Sequence, residues 1–223
     1  MDQERIIEKM EERLSNYKKF EQMIQLHLRV NYFSFVYQSF YNQIGYDNNE
    51  KKRFTSNEFQ KFVINTNFLD LINEIYRTRL SKKGIKIISE RLQEVEHFDD
   101  YYNAISIFEA CNPTKYANGN LKSKNAFSFG TKVLHFYDPK HNPILDSEVR
   151  KNLGIKVEMN KSLCIEFREA ANSFVKKHRD YFDKFYESDT IAQELEKRHM
   201  NINFSNMEIL DMALYEPENK LTI

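Results

Sequence analysis

The sequence predicts an all-α protein, and three observations favour this class. Glycine (5 residues) and proline (4 residues) are scarce, whereas all-β folds need many turns that use both. Hydrophobic residues make up 41% of the chain and aromatic residues 14%, which is enough for a packed interior. Apolar residues recur at spacings of three and four, as they do on the buried face of a helix. Together these features indicate long helices joined by short connections.

The N-terminal part of the chain is predicted to contain two helices and a polar loop. The first helix covers about Gln3 to His27, where mixed charges lie between regularly spaced apolar residues. Those apolar residues are Ile6, Met10, Leu14, Tyr17 and Phe20. The aromatic run Val30–Ile44 favours a buried helix because of its length, and Asp47–Arg53 follows as a polar loop.

Capping residues, helix breakers and periodicity place the remaining elements. Ser56 is predicted to cap a helix, Gly84 to interrupt the pattern, and Asn112-Pro113 to end a segment, since the residue before proline resists helical geometry. The polar, basic residues 114–130 are interpreted as an irregular loop. Further helices are predicted at Ile85–Val95, Asp99–Ala110, Thr131–Tyr137, between Asp146 and Gly154, Ser162–Ser188, Ala192–Met200 and Asn206–Tyr215. The first and last helices are expected to pack together.

The 223 residues fit a single domain, 1–223, in which two helical lobes could enclose an active-site cleft. Cys111 and Cys164 lack the spacing of metal ligands, so two reduced thiols are expected. The N-terminus is charged, and no stretch approaches the ~20 apolar residues of a membrane helix. We therefore expect a monomeric cytoplasmic protein with no membrane partner, associated with the nucleoid if its source is prokaryotic.

The formal net charge is zero, yet one segment is strongly basic. Between Asn112 and Lys156 there are eight basic and three acidic residues, which leaves a charge of +5. Such asymmetry is typical of a surface that faces phosphate groups. A solvated basic loop would explain the same count.

This basic segment carries a resemblance to a known family. Gly130-Thr131-Lys132-Val133 opens an apolar helix, Pro143-Ile144-Leu145-Asp146 follows, and a short helix ends at Leu153-Gly154. The order resembles the catalytic core of the helix-hairpin-helix DNA glycosylases, and more narrowly the 8-oxoguanine glycosylase/lyase group. The resemblance implies a multi-helix base-excision fold with a helix-hairpin-helix element near residues 125–153. It also implies that Lys132 and Asp146, 14 residues apart in the sequence, are the catalytic pair.

General chemistry supports the same two residue types. A lysine in the first turn of a helix lies at the positive end of the macrodipole, which disfavours its protonated form, and partial burial acts in the same direction. A neutral amine at Lys132 could attack C1′ of a nucleotide and form a Schiff base. Asp146 stands where a helix N-cap is expected. A carboxylate fixed there could also stabilise an oxocarbenium-like sugar and help to deprotonate the amine.

The rest of the predicted site consists of DNA contacts and base-stacking residues. The candidate DNA contacts are Lys122, Lys124, Gly130, Thr131, Lys140 and Arg150. The candidates for stacking on an extruded base are Phe127, Phe129, His135 and Tyr137, each of which could instead pack in the core. Two residues depart from the family pattern, because Ser128 replaces a second hairpin glycine and Glu148 replaces a histidine. No cofactor is expected, since Cys and His show no metal-ligand spacing and no nucleotide-binding loop or nucleophile elbow occurs.

The sequence therefore predicts a DNA glycosylase with AP-lyase activity. It would excise an oxidised or otherwise modified base, such as 8-oxoguanine, from duplex DNA through a Schiff base on Lys132. One alternative is a non-catalytic helical module that binds DNA or a protein and keeps the hairpin as a scaffold. Another is a helical interaction protein that binds no nucleic acid.

Overall fold

The computed structural model describes residues 1–30, 54–65, 67–115, 121–197 and 204–215. Within these ranges the chain is mostly helical, and strand is confined to one antiparallel hairpin, so the predicted all-α class is confirmed. Among the described helices, none combines the length and the apolar character needed to cross a membrane. The predicted helix after Val30 and the predicted loop Asp47–Arg53 lie outside the described residues.

The elements follow one another along the chain as follows. They are α1 Gln3–Arg13, α2 Tyr17–Val30, α3 Ser56–Asn65, α4 Phe68–Ile75, α5 Lys82–Gln93, α6 Tyr101–Ser106, β1 Asn112–Lys115, β2 Leu121–Lys124, α7 Phe127–Tyr137, α8 Ser147–Asn152, α9 Lys161–Lys177, α10 Arg179–Asp183, α11 Asp189–Lys197 and α12 Asn206–Leu214. The chain divides into two compact units. The first comprises Met1–Lys52, Ser147–Lys156 and Glu169–Ile223, and the second comprises Arg53–Asp146 and Val157–Arg168.

In the first unit, helices from the two ends of the chain pack against each other. Helix α2 contacts both α11 and α12, so the prediction that the N- and C-terminal helices pack together is confirmed. The Phe20 ring lies 5.4 Å from the rings of both Tyr181 and Phe182. The side chain of Gln3 donates a hydrogen bond to Ser173 Oγ at 2.9 Å.

Two predicted long helices are each divided in the first unit. The predicted helix from Gln3 to His27 is broken between α1 and α2, where Asn16 Oδ1 accepts a hydrogen bond from the N–H of Lys19. The predicted helix Ser162–Ser188 is broken at His178, between α9 and α10. In both places the apolar spacing continues across the break, so periodicity alone could not reveal it.

The second unit is built around α7, which packs against α4 and α6. An aromatic cluster fills its core: Phe59 lies 5.2 Å from Phe98 and 5.3 Å from Tyr137, and Phe68 lies 5.6 Å from Phe136. Cys111 is also buried in this unit, and its burial raises the pKa of the thiol.

Three element boundaries in the second unit differ from the prediction. Thr55, rather than Ser56, caps α3, because its Oγ1 accepts from Glu58 N at 3.3 Å while Glu58 Oε2 accepts from Thr55 N at 2.9 Å. This reciprocal pair is a capping box. Gly84 does not interrupt the helix but lies in the first turn of α5, and α6 is shorter than predicted.

Part of the segment predicted as an irregular loop is a β-hairpin. Strands β1 and β2 pair antiparallel, with Asn112 opposite Lys124 and Thr114 opposite Lys122. Their sequences NPTK and LKSK lack the alternation of apolar and polar residues by which a half-buried strand is recognised. Helix α7 then begins at Phe127, three or four residues before its predicted start, and ends at Tyr137 as predicted.

Candidate active site

Lys132 lies on the second turn of α7 and is almost entirely buried, with 2% of its side chain exposed. The prediction that it occupies the first turn is wrong, because α7 begins at Phe127. The field of a helix terminus fades beyond the first turn. The helix macrodipole therefore acts only weakly on the Lys132 amine, and the groups that contact the amine determine its chemistry.

Three acceptor atoms surround the Lys132 amine. Its Nζ donates to the carbonyl oxygen of Ser128 at 3.3 Å, to Ser128 Oγ at 3.2 Å and to Asp146 Oδ2 at 3.2 Å. Helical side chains lean toward the N-terminus of their helix, which brings a residue over its neighbour four positions earlier. The departure from the glycine pattern at Ser128 therefore places a hydroxyl group within hydrogen-bond distance of the Lys132 amine.

Asp146 is held beside Lys132 by a neighbouring backbone contact. Thr131 Oγ1 accepts a hydrogen bond from Leu145 N at 3.2 Å and lies 3.1 Å from the carbonyl oxygens of Leu145 and Ser128. The side chain of Thr131 is buried, with 1% exposed. Thr131 was predicted to contact DNA, but its side chain is buried and fastens the segment that carries Asp146 to α7.

The phosphate contact predicted for Gly130 is also wrong. The N–H of Gly130 donates to the carbonyl oxygen of Ala126 at 2.8 Å and so cannot point at a phosphate. A Cβ atom at this position would lie 2.5 Å from Cδ2 of Phe108. Gly130 is therefore explained by the close approach of α7 to Phe108, which no larger residue would permit.

Tyr76 covers the amine from another element of the second unit. The Lys132 Nζ lies 5.1 Å from the centroid of the Tyr76 ring, a distance typical of a cation–π contact. Tyr76 directly follows α4 and is 56 residues away from Lys132 in the sequence. No sequence motif marks it, and only the packing of α4 on α7 reveals it.

The loop Tyr76–Leu80 has an unusual backbone. Arg77 has a φ of 47° and Arg79 a φ of 58°, both in the left-handed region that residues other than glycine rarely adopt. The side chain of Asn73 holds the loop, because its Oδ1 accepts from Leu80 N at 2.9 Å and its Nδ2 donates to the Leu80 carbonyl at 3.2 Å. Both arginine side chains are exposed. Such conformations often cluster at binding and catalytic sites.

The four residues predicted to stack on an extruded base lie in the core instead. Phe127, Phe129, His135 and Tyr137 are each at most 2% exposed. The Phe129 ring contacts Phe108 at 6.2 Å, Tyr137 Oη donates to Asp99 Oδ1 at 2.5 Å, and His135 Nδ1 donates to the Asn142 carbonyl at 2.7 Å. The contact of His135 fixes the connection that leads from α7 to Asp146.

The remaining predicted DNA contacts differ in their surroundings. Lys124 and Lys140 are exposed in the second unit. Arg150 is half-buried on α8 in the first unit, where Glu148 lies 3.9 Å from Lys151. The side chain of Lys122 lies outside the described residues. No group of three or more Cys, His, Asp or Glu in the described part of the chain is arranged to hold a metal ion.

Comparison with known proteins adds no assignment to this site. No protein-family model, curated protein or solved structure matches the chain. The chemistry therefore has to be inferred from the residues themselves: a buried amine, a carboxylate in contact with it, a hydroxyl group on the same helix, and an aromatic ring above it.

Proposed function

We propose that the protein is a DNA glycosylase with AP-lyase activity that acts on a modified base in duplex DNA, with Lys132 as the nucleophile. The observation that carries the proposal is the buried contact of 3.2 Å between Lys132 Nζ and Asp146 Oδ2. Removing a lysine from water is unfavourable unless it is paired.

In the proposed reaction, Lys132 forms the covalent bond to the sugar and Asp146 transfers protons. Lys132 first transfers a proton to the Asp146 carboxylate, which is already within hydrogen-bond distance. The resulting neutral amine attacks C1′ and forms a C1′–Nζ bond, while the bond from C1′ to the base breaks and the base leaves with the electron pair and takes up the proton from Asp146. The attached amine then loses its second proton to the Asp146 carboxylate. The C1′–O4′ bond then opens as O4′ takes a proton, and the nitrogen lone pair completes the Schiff base.

The Tyr76–Leu80 loop supports the same function. A glycosylase must admit a nucleotide that has been rotated out of the duplex, and the Tyr76 ring covers the amine that this nucleotide has to reach. Exposed Arg77 and Arg79 directly follow that ring and are suited to contact the DNA backbone. We therefore propose that the loop meets the DNA where the nucleotide leaves the helix.

A second candidate function is a DNA-binding or protein-binding module without catalysis. The observation that favours it is the saturation of the Lys132 amine by three acceptors at 2% exposure, as expected of a structural ion pair. In that case, loss of either partner would leave a buried charge uncompensated and would destabilise the fold by about 3–5 kcal/mol.

Borohydride trapping on duplexes that carry different modified bases, or an abasic site, tests the proposal. We expect the wild-type protein to become covalently attached to at least one duplex, and Lys132→Gln to give no adduct. Asp146→Asn removes the carboxylate and should slow trapping by roughly a hundredfold, as expected of a lost proton acceptor.

Circular dichroism of each variant serves as the control for folding. Adduct formation by a folded Lys132→Gln variant at the wild-type level would exclude Lys132 as the nucleophile. Salt-sensitive DNA binding by the wild-type protein without any adduct, on any of the duplexes, would favour the non-catalytic module.

A further inference from the structure

We infer that a basic patch in the second unit, formed by Lys82, Lys83 and Lys86 of α5 and Lys124 of β2, binds the phosphate backbone of duplex DNA. This contact is additional to the Lys132 site. The inference rests on the proposed function only in its choice of DNA as the partner. It makes α5 part of the DNA-binding surface, although the sequence analysis did not connect this helix with DNA.

The patch joins two segments that are distant in the sequence. Asn112 Oδ1 at the start of β1 accepts from Ser81 N at 3.3 Å and from Ser81 Oγ at 3.2 Å. A Cβ atom on Gly84 would lie 2.9 Å from the same Asn112 oxygen. The first turn of α5 therefore lies directly against the hairpin, and the hairpin register places Lys124 opposite Asn112.

The two segments share a charge pattern that neither the composition nor the net charge reveals. Residues 75–89 contain five lysines and arginines and no acidic residue, and residues 110–137 contain four lysines and no acidic residue. The whole chain has 33 basic and 33 acidic residues. Two such acid-free segments in contact make a locally positive surface, which attracts a polyanion.

The lysines of the patch are exposed, and only one of them forms an ion pair within the described part of the chain. Lys82, Lys83, Lys86 and Lys124 all have exposed side chains. Lys86 lies 3.8 Å from Glu90 in a solvent-exposed pair, which contributes little to stability. Within the described part of the chain, Lys82, Lys83 and Lys124 make no ion pair.

The position of the patch favours DNA over an acidic protein as the partner. Strand β2 leads through Asn125 and Ala126 directly into α7, the helix that carries Lys132. Five residues of helical rise separate Phe127 from Lys132, which is about 7.5 Å. Consecutive base pairs are about 3.4 Å apart along the duplex. A duplex engaged at Lys132 therefore has phosphates within a few base pairs of the hairpin.

A matched pair of double variants tests the patch. Lys82→Ala/Lys83→Ala removes two adjacent lysines from the first turn of α5, and Lys18→Ala/Lys19→Ala removes two adjacent exposed lysines from the first turn of α2. Fluorescence anisotropy measures the affinity of each for an undamaged duplex between 50 and 200 mM salt. Because each phosphate contact contributes about 0.9 to the slope of log K against log salt, the α5 variant should lower that slope by about 1.8.

The same variant should weaken binding at 100 mM salt by about tenfold or more, whereas the α2 variant should match the wild-type protein. Lys124→Ala should remove about one further contact. An unchanged slope and affinity in the α5 variant would overturn the inference, as would equal losses in the two double variants. Binding of the patch to polyglutamate but not to duplex DNA would assign it to an acidic protein instead.

The test of the basic patch can fail or succeed independently of the test of the proposed function. Lys132→Gln should lose the borohydride adduct but keep the wild-type salt slope. If the wild-type protein forms no adduct while the α5 variant still loses slope, the proposed chemistry fails and the DNA-binding patch stands.

Discussion

Ser128 is the single residue at which this chain departs most informatively from the pattern that it resembles. A glycine in its place would offer the Lys132 amine only a backbone carbonyl, whereas Ser128 offers its carbonyl and its Oγ, at 3.3 and 3.2 Å. The additional acceptor fixes the direction of the amine relative to Asp146. We therefore regard Ser128 as a positioning residue of the proposed reaction.

Ser128→Ala should slow borohydride trapping by roughly tenfold, because a hydrogen bond to a charged group contributes about 1.5–3 kcal/mol. Ser128→Thr, which restores a hydroxyl group, should recover most of the rate. The rate is measured in single turnover at saturating DNA, beside the melting temperature of each variant. A fall in melting temperature without a change in the trapping rate would reduce Ser128 to a structural role.

The residues that could be predicted are those of the local motif. The resemblance of the local motif to a known family pointed to Lys132 and Asp146, and the structure places Lys132 Nζ 3.2 Å from Asp146 Oδ2. The four aromatic and histidine candidates were not distinguishable from core residues, because both roles require apolar rings on the same helix. Tyr76 could not be found, since its place over Lys132 depends on how α4 packs on α7.

At the scale of secondary structure, the connection between α7 and α8 determines the geometry of the site. His135 Nδ1 donates to the Asn142 carbonyl at 2.7 Å, and Asn142 Nδ2 donates to the Leu134 carbonyl at 2.9 Å. Arg168 Nε donates to Asn142 Oδ1 at 2.8 Å. Together with the contact of Thr131 with Leu145, these bonds hold both ends of the connection to α7.

Thr131→Val should loosen this connection while preserving the shape of the side chain. The buried N–H of Leu145 would lose its acceptor, which destabilises the fold by about 1–3 kcal/mol, and Asp146 would drift from the amine. We expect a lower urea midpoint together with slower trapping. Thr131→Ser, which keeps the hydroxyl, is the matched control, and equal behaviour of the two variants would show that the hydroxyl does not position Asp146.

Element types were more predictable than element ends. The bounds of α7 at Tyr137 and of α8 near Gly154 follow the breakers Asp138-Pro139 and Gly154, the latter with a φ of 60°. The early start of α7 was missed because Ala126 caps it without a side-chain hydrogen bond. The hairpin was missed because its strands carry lysines and serine where a buried strand would carry apolar residues.

At the scale of the whole molecule, the first unit contains a histidine whose ionisation is coupled to folding. Burial lowers the pKa of His27 to about 4, and a backbone hydrogen bond with Tyr215 opposes this shift only in part. The His27 ring also packs edge-on against Tyr215 at 5.5 Å. His27 is therefore neutral in the folded protein at neutral pH.

The stability of the fold should therefore fall as the pH falls from about 6.5 to about 4, because the unfolded chain binds the His27 proton first. The full contribution of neutral His27 to the free energy of unfolding, up to about 3 kcal/mol, is present above pH 6.5. Urea unfolding of the wild-type protein at pH 7.5 and pH 5 measures it. His27→Phe should lose most of this dependence, and His97→Gln, at an exposed position, should keep it. An equal pH dependence in His27→Phe and the wild-type protein would exclude His27 as the cause.

The burial of Lys132 also determines which aldehydes can react with its amine. Surface amines condense with free sugars and metabolic aldehydes, but an amine that is 2% exposed and covered by Tyr76 is shielded from them. Acylating reagents should therefore modify Lys18 and Lys19 in the free protein and spare Lys132, as peptide mass spectrometry can measure. Under the proposed function, the amine would become reactive only when a DNA strand displaces the ring, so the bound substrate itself would expose Lys132.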